Sequence, residues 1–167
     1  YSLKLLMKKI LVTGGAGFVG SHLCERLAQD KTNKVYSLDN YFTGCKKNHV
    51  PNVIYINGNT SEISNLIDFK PDLIFHLGDY SRVEQSFEDI DMVWKYNIDG
   101  MYEVLKFVRK HNCKIVYAGS STKFGDFGVG RSSSPYAWTK SSNTDLLINY
   151  SNWFNIKYAI TYFYNVY

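Results

Sequence analysis

The sequence is poor in cysteine, has no concentrated charge of either sign and contains no repetitive tract. Cys24, Cys45 and Cys113 are far apart and odd in number, without the spacing of a metal site, so we expect no metal and a reducing, cytoplasmic location. Cys24 and Cys113 stand in apolar contexts and are expected to be buried thiols. The formal net charge is only +4 and the basic residues are scattered, which argues against a nucleic-acid partner.

The first six residues, YSLKLL, precede Met7 and are too short for a signal peptide or a membrane span. From Met7 onward the sequence has the natural beginning of a domain whose first element is a strand. We therefore expect residues 1–6 to be a non-native or read-through leader and residues 7–167 to form one domain, with no membrane partner.

A glycine-rich turn follows the first apolar run, Ile10–Val12, and precedes an amphipathic segment, Ser21–Ala28. Gly14 permits a tight turn, Gly17 lets the main chain approach a pyrophosphate, and Gly20 lets a helix pack closely on the strand. The free N–H groups at the start of that helix attract phosphate. The pattern is typical of a dinucleotide-binding site.

An acidic residue, Asp39, ends the second predicted strand. A carboxylate at this place can accept both hydroxyls of the adenosine ribose and repels a 2′-phosphate. Asn40 follows it and no arginine is near. The predicted cofactor is therefore NAD rather than NADP.

Strand and helix patterns alternate along the rest of the chain. The further predicted strands are Lys34–Leu38, Val53–Ile56, Leu73–Leu77, Lys114–Ala118 and Lys157–Phe163. The predicted helices are a short one from Ile63 to Lys70, one containing Met101–Val108, and Tyr136–Phe154. This alternation predicts an α/β fold, a doubly wound parallel sheet of about six strands of the Rossmann-like kind, with ligands beyond the carboxyl ends of the strands.

Tyr136 and Lys140 are four residues apart on a predicted helix and share one face. An ammonium beside a phenol favours the phenolate and lowers its pKa from about 10 towards neutrality, which suits a general base. Ser120, at the end of the neighbouring strand, can bond the same substrate oxygen. A lone pair of this spacing is more often a surface pair, but its place after a dinucleotide motif favours catalysis.

These features together resemble the extended short-chain dehydrogenase/reductase superfamily, and within it the NAD-dependent nucleotide-sugar epimerase/dehydratase family. UDP-glucose 4-epimerase-like members look most similar, and the resemblance covers residues 7–167. The motifs that carry it are Thr13-Gly14-x-x-Gly17-x-x-Gly20, Asp39-Asn40, His76-Leu77, Asn97-x-x-Gly100, Ser120-Ser121-Thr122, Phe124-Gly125-Asp126, Tyr136-x-x-x-Lys140 and Tyr164-Asn165-Val166-Tyr167.

The resemblance implies a role for each matching residue. Ser120, Tyr136 and Lys140 are implied to be catalytic, and Ser120, Tyr136 and Asn165 to meet the substrate. The residues implied to bind NAD are Gly14, Gly17, Phe18, Val19, Asp39, Asn40, Asn59, Leu77, Gly78, Asn97, Tyr136, Lys140 and Tyr164.

The implied activity is that of an NAD-dependent 4-epimerase of nucleotide sugars such as a UDP-hexose, an isomerase of carbohydrate metabolism. Tyr136 takes the proton of a sugar hydroxyl, the cofactor takes and returns a hydride, and a 4-keto sugar turns over between the two steps. The alternatives are another NAD-dependent nucleotide-sugar decarboxylase or reductase, and a non-catalytic NAD-binding module.

Members of the family continue past the position of Tyr167 into a small domain that closes over the nucleotide sugar. We therefore expect this chain to be an N-terminal fragment, truncated before the substrate domain and inactive by itself. The family commonly dimerises through two helices, so a homodimer is expected of the full-length protein. The apolar positions Met101, Val104, Leu105 and Val108 belong either to the core or to such a dimer interface.

Some positions depart from the family pattern. Ser121 and Thr122 stand where dehydratases have Asp-Glu, which disfavours dehydration, and Asn59 stands where an aspartate is usual. Asp79 replaces a small residue after the fourth strand, so either it points away from the cofactor or the substrate differs, with Arg82 as a partner that would neutralise it.

Several other side chains are open to two interpretations. His76 is expected to be structural rather than catalytic, because a general base already exists. Lys123 would either contact a phosphate or be an exposed lysine. The three tryptophans, Trp94, Trp138 and Trp153, are expected in the core or at an interface rather than in a ligand site.

Overall fold

Six parallel strands form one sheet in the computed structural model, which describes residues 7–164 and 166, and the side chains of all of these except 125–128. The order across the sheet is β3-β2-β1-β4-β5-β6, the doubly wound arrangement that the sequence predicts. Every predicted strand forms, with its ends shifted by at most two residues. The strands are β1 (Lys8–Thr13), β2 (Asn33–Asp39), β3 (Val53–Asn57), β4 (Leu73–His76), β5 (Lys114–Ser120) and β6 (Tyr158–Phe163).

Helices connect the strands. They are α1 (Phe18–Ala28), α2 (Ile63–Leu66), α3 (Ile90–Val93), α4 (Gly100–His111) and α5 (Pro135–Phe154). Short 3₁₀ segments cover Lys46–Asn48, Thr60–Glu62, Glu84–Phe87 and Ser121–Ser132. None of the described helices is both long and apolar enough to cross a membrane.

The second predicted helix is shorter than expected, because it ends at Leu66 rather than at Lys70. Ile67 adopts an extended backbone there, and this turns its side chain into the core, where it is buried.

Two apolar clusters cover the two faces of the sheet. Alternate residues of β1 point to opposite faces: Ile10 and Val12 pack with Cys24 of α1, while Leu11 packs in the larger cluster on the other side. That larger cluster contains Met101, Val104, Leu105 and Val108 of α4, all fully buried. Of the two alternatives for these four positions, the core is therefore correct.

The two buried thiols are confirmed. Cys24 is fully buried and Cys113 almost so, and both are free. Burial raises the pKa of Cys24 to about 12, with a smaller contribution from Asp39, and raises that of Cys113 to about 11. Neither thiol is available as a thiolate near neutral pH.

A π-helical segment, Trp94–Asp99, joins α3 directly to α4. The N–H of Gly100 donates to the carbonyl of Lys95, five residues back, instead of the four of an α-helix. Asn97 lies in the middle of this segment and is fully buried. Such segments are frequent at functional sites, and this one lies behind the cavity described below.

Candidate cofactor and catalytic site

A cavity of about 540 Å³ lies at the carboxyl ends of the strands. The glycine turn after β1, the ends of β2, β4 and β5, and the start of α5 form its walls. Eleven of the predicted site residues line it: Gly14, Gly17, Phe18, Val19, Asp39, Asn40, Leu77, Gly78, Tyr136, Lys140 and Tyr164. Asn59, Asn97 and Ser120 do not line it, and Asn165 lies outside the described residues.

The structure shows the geometric reasons that the sequence predicts for Gly14 and Gly20, whereas the approach of a pyrophosphate at Gly17 stays a prediction. Gly14 has a left-handed φ of +74°, and a Cβ there would lie 2.9 Å from the Cα of Gly78. A Cβ on Gly20 would lie 2.0 Å from the carbonyl oxygen of Gly14, so only glycine allows α1 this close to the turn. At Gly17 the nearest atom to a Cβ is 3.3 Å away, and that side is otherwise open to the cavity.

Asp39 is buried at the edge of the cavity with two backbone donors on its carboxylate. Oδ2 accepts the N–H of Ala16 at 2.9 Å, and Oδ1 accepts the N–H of Tyr41 at 2.8 Å. A carboxylate has about four acceptor positions, so two remain for the hydroxyls of a ribose. Gly44 lies against the same carboxylate, where a Cβ would come within 2.9 Å of Oδ1. The sequence pattern gave no indication of this role for Gly44.

Asn59 supports the site from behind Asn40. The amide of Asn40 donates to Oδ1 of Asn59 at 3.0 Å, and the amide of Asn59 donates to Glu62 at 3.2 Å. Asn59 thus orients Asn40, which lines the cavity, and the direct contact of Asn59 with the cofactor stays a prediction.

Asn97 supports the site from within the protein, and its contact with the cofactor stays a prediction. Its Oδ1 accepts the N–H of Tyr80 at 2.6 Å, and its Nδ2 donates to Oγ1 of Thr139 at 2.9 Å. These bonds use its amide group inside the protein. They tie the cavity-lining Tyr80 to helix α5 next to Lys140.

Aromatic side chains that the sequence analysis missed line another part of the cavity. Phe42 lies near both Tyr80 and Tyr96, with ring centroids 5.8 and 5.3 Å apart. Tyr80 follows the end of β4, and this position beyond a strand end is the one feature of the sequence that could have identified it as a site residue. Tyr96 lies in the π-helical segment, whose backbone course the apolar periodicity does not reveal.

Ser120 is buried at the end of β5, where it caps the 3₁₀ segment that follows. Its Oγ accepts bonds from both the backbone N–H and the hydroxyl of Thr122, at 3.3 and 3.0 Å. The hydroxyl proton of Ser120 is left for another acceptor. Because Ser120 does not line the cavity, its direct contact with a substrate stays a prediction.

Helix α5 carries Tyr136 and Lys140 to the cavity. Its first turn is favoured by Pro135 and by the Oγ of Ser134, which accepts the N–H of Ala137 at 3.0 Å. Tyr136 is half-buried and Lys140 is buried, and both line the cavity. The predicted shared face of these two residues is confirmed.

The ammonium of Lys140 is bound to Asp79. Nζ donates to Oδ2 of Asp79 at 2.7 Å and to the carbonyl oxygen of Ala118 at 2.5 Å. Asp79 thus points inward, towards Lys140. The suggestion that Arg82 neutralises it is wrong, since Arg82 is exposed and Lys140 is the neighbouring cation.

The ion pair stabilises the charged forms of both partners, so it lowers the pKa of Asp79 and raises the pKa of Lys140. Burial by itself raises the pKa of Asp79, but the charge of Lys140, with His76, outweighs it and the pKa falls well below its usual range. Burial by itself lowers the pKa of Lys140, but Asp79 outweighs it and the pKa rises. The Tyr117 hydroxyl donates to Asp79 at 2.8 Å, and burial together with that carboxylate raises the pKa of Tyr117.

His76 is fully buried at the end of β4, which favours the structural interpretation over the catalytic one. Its Nδ1 lies 2.7 Å from Oγ1 of Thr13, which already accepts the N–H groups of Leu77 and Gly78 at 3.1 and 3.0 Å. The Thr13 hydroxyl therefore has only its proton left to give to Nδ1. A neutral His76 then carries its own proton on Nε2, which is 3.2 Å from Oδ1 of Asp79.

Lys123 is neither at the cavity nor freely exposed. It pairs with Asp145 of α5 at 2.7 Å, and Arg131 binds the other oxygen of the same carboxylate. The two cations stand near the two ends of the 3₁₀ segment Ser121–Ser132. Their shared carboxylate ties this segment to α5.

Comparison with known proteins identifies the family of the chain. Residues 10–167 match the family described as the NAD dependent epimerase/dehydratase family. An uncharacterised UDP-glucose epimerase, YtcB of Bacillus subtilis, is 32% identical over 95% of this chain and 57% of that protein. UDP-glucuronic acid decarboxylase 6 of Arabidopsis thaliana is 34% identical over 71% of this chain and 35% of that protein.

The structure of UDP-glucose 4-epimerase from Thermotoga maritima with UDP-glucose is similar to that of this chain, with a TM-score of 0.86 and 25% identity. The similarity covers 95% of this chain and 56% of that one. The chain spans about half the length of the curated relatives that it matches along most of its own length. The family match, the parallel sheet and the glycine turn beside Asp39 agree, and the chain belongs to the NAD-dependent epimerase/dehydratase family.

Proposed function

We propose that this chain forms the NAD-binding part of a cytoplasmic nucleotide-sugar 4-epimerase that acts on a UDP-hexose. The observation that supports the proposal most strongly is that one cavity brings together the glycine turn, Asp39 and the Tyr136–Lys140 pair. Relatives named UDP-glucose epimerase and a similar structure holding UDP-glucose support the substrate class.

The residues of the cavity fit NAD. The open side of Gly17 leaves space for a diphosphate. No side chain that the structure describes caps the first N–H groups of α1, so these donors remain for the diphosphate oxygens. Asp39, held by two backbone N–H groups, has acceptors left for the adenosine ribose. When bound, the nicotinamide supplies the acceptor and donor of hydride.

Residues of the chain itself transfer the proton of the reacting sugar hydroxyl. The Tyr136 oxygen accepts the proton of the sugar 4-hydroxyl as the carbon loses hydride, which leaves a 4-keto sugar, and later returns the proton to the same oxygen. The ammonium of Lys140, one turn along α5 on the same face, would stabilise the negative charge that the Tyr136 oxygen carries before it accepts the proton and after it returns it. Ser120 would donate its free hydroxyl proton to the same substrate oxygen.

A second candidate reaction is oxidative decarboxylation of a UDP-hexuronic acid. The observation that favours it is the similarity to decarboxylases, including the Arabidopsis enzyme described above. Both reactions begin with the same oxidation at carbon 4, so Tyr136 and Lys140 serve either one. Residues that contact the sugar distinguish them.

The test has two parts. Calorimetry on the 167-residue chain should show NAD binding and much weaker NADP binding, and absence of NAD binding would overturn the cofactor assignment. The complete gene product is then incubated with UDP-glucose and with UDP-glucuronic acid, and products are identified by NMR. Interconversion with UDP-galactose supports the epimerase, loss of carbon dioxide supports the decarboxylase, and NAD binding without either reaction supports a non-catalytic module.

The Tyr136→Phe variant separates binding from chemistry. It keeps the ring that lines the cavity and removes the proton-transferring oxygen. We expect NAD binding to change little and turnover by the complete protein to be lost. Turnover at the wild-type rate would contradict the role of Tyr136.

We also propose that the complete protein is a homodimer. The supporting observation is an apolar groove of about 300 Å³ between the α3 region and the start of α5, lined by Phe87, Ile90, Trp94 and Trp138 among others. The two tryptophan rings are stacked, 5.6 Å apart, yet 49% and 45% exposed. A second copy of the same face would cover them.

A further inference from the structure

A buried network of charge surrounds Asp79. Oδ2 accepts bonds from Lys140 and Tyr117, and Oδ1 faces Nε2 of His76. The side chains of Asp79 and Lys140 are only 4% and 6% exposed. The network joins the end of β4, the middle of β5 and the first turns of α5 at the wall of the cavity, which both Asp79 and Lys140 line.

The ammonium of Lys140 needs such a partner. A lysine buried without an opposite charge is driven towards its neutral form, and a neutral amine is a poor donor. Here Asp79 and the Ala118 carbonyl accept two of the three N–H bonds, and the ring of Tyr117 lies 4.4 Å from Nζ. Among the described residues no acceptor binds the third N–H, and Lys140 lines the cavity.

Position 79 is suited to a carboxylate rather than to an amide. Lys140 and Tyr117 present donors to one oxygen, and the tautomer fixed by Thr13 presents the Nε2–H of His76 to the other. An asparagine has one acceptor oxygen, so its NH₂ group would face a donor. Replacing Asp79 by asparagine therefore removes the charge and also mismatches the hydrogen bonds.

We propose that Asp79 is a positioning residue that keeps Lys140 charged and fixed at the wall of the cavity, so that one N–H of the ammonium stays available to a ligand hydroxyl at neutral and alkaline pH. The titratable groups that face this pair among the described residues are His76 from β4, Tyr117 from β5 and Tyr136 from α5. Asp79 itself lines the cavity, but its side chain is buried and bound to Lys140, so its effect is exerted through Lys140.

The first test follows the proton of Lys140 in the chain without NAD. Lysine labelled with ¹³C at Cε reports the titration of each ammonium, and the Lys140→Met variant assigns the signal. In the wild type we expect Lys140 to stay protonated until the chain unfolds at alkaline pH. In Asp79→Asn its midpoint should fall by about 2 pH units or more, and Asp79→Glu should restore it. An unchanged midpoint in Asp79→Asn would overturn the proposal.

A double variant covers the case in which Asp79→Asn does not fold. Asp79→Asn with Lys140→Met removes both charges and leaves none unpaired in the interior. If the double variant folds where Asp79→Asn alone does not, the unbalanced ammonium is the cause, which supports the coupling. If both unfold equally, Asp79 serves the fold independently of Lys140 and the proposal is overturned.

The second test measures ligand binding and rests on the proposed function. In the wild type, the affinity for NAD should not change between pH 6.5 and 9.5. One hydrogen bond to a charged donor contributes about tenfold to an affinity. In Asp79→Asn it should fall by about this factor as the pH rises through the Lys140 midpoint. A pH-independent affinity in that variant would contradict the role in binding. If the wild type does not bind NAD, the cofactor proposal fails, while the lysine titration still decides whether Asp79 controls Lys140.

Discussion

The Oδ2 atom of Asp39 accepts the backbone N–H of Ala16 at 2.9 Å, which ties the end of β2 to the glycine turn after β1. One carboxylate thus shapes the turn that would hold a diphosphate and has acceptors left for a ribose. Under the proposed function, the fold of the turn and the cofactor selectivity would depend on the same side chain.

Replacing Asp39 by alanine should weaken NAD binding more than tenfold and reduce the preference for NAD over NADP. The ribose loses its acceptors, and the charge that repels a 2′-phosphate disappears. Calorimetry with both cofactors measures this. Asp68→Asn, at an exposed acid away from the cavity, is the matched control. An unchanged NAD/NADP ratio in Asp39→Ala would contradict the assignment.

Gly20 and Gly17 should respond differently to alanine. In Gly20→Ala the new methyl group collides with the Gly14 carbonyl, and we expect a loss of about 1–3 kcal/mol in the free energy of unfolding. Gly17→Ala meets only a 3.3 Å contact and loses at most about 1 kcal/mol, but its methyl group faces the cavity and weakens NAD binding. Urea denaturation and calorimetry on both variants separate the effects, and equal losses of stability would be inconsistent with this geometry.

The chain should lose stability steeply above about pH 9. In the unfolded chain Cys24 and Cys113 ionise near pH 8.5, whereas burial holds their pKa at about 12 and about 11 in the folded state. The folded state therefore binds more protons between these values, and the free energy of unfolding falls by about 1.4 kcal/mol per pH unit for each thiol.

Two variants test this origin of the alkaline instability. Cys24→Ala removes one buried thiol, so the decline measured by denaturation at several pH values should become shallower even if the absolute stability is lower. Cys45→Ala removes the exposed thiol and should leave the slope unchanged. Identical slopes in the wild type and Cys24→Ala would rule out the explanation.

Trp138→Glu should weaken self-association of the complete protein. A charge in the apolar groove must be buried without a partner when a second copy covers it. Sedimentation velocity should then show a monomer at concentrations at which the wild type is a dimer. Trp153→Glu is the control, since Trp153 is 66% exposed at the other end of α5 and does not line the groove. A wild type that stays monomeric at all concentrations would contradict the proposed dimer.

The parts of the site that could be predicted from sequence depend on local spacing. Gly14, Gly17 and Gly20 act within one turn and the helix that follows it, and Tyr136 and Lys140 share a face because they are four residues apart on a helix. Such patterns fix geometry before tertiary packing is known. The order and direction of the strands follow from their alternation with helices.

The parts that could not be predicted depend on which distant side chains meet. Asp79 and Lys140 are 61 residues apart, and Asp79 has a cation within reach in the sequence, Arg82, that the fold leaves exposed. Asn97 matched a family motif, yet packing turned its amide towards Tyr80 and Thr139. A motif identifies a residue that matters to the site without stating whether that residue touches the ligand.

The π-helical segment Trp94–Asp99 sets the rotational phase between α3 and α4. Each residue of an α-helix turns the chain by about 100°, so one residue added to or removed from this segment would rotate every side chain of α4 relative to α3 by that angle. The wide turn therefore lets Asn97 face α5 while Met101 and Val104, on the same continuous helical path, still face the core.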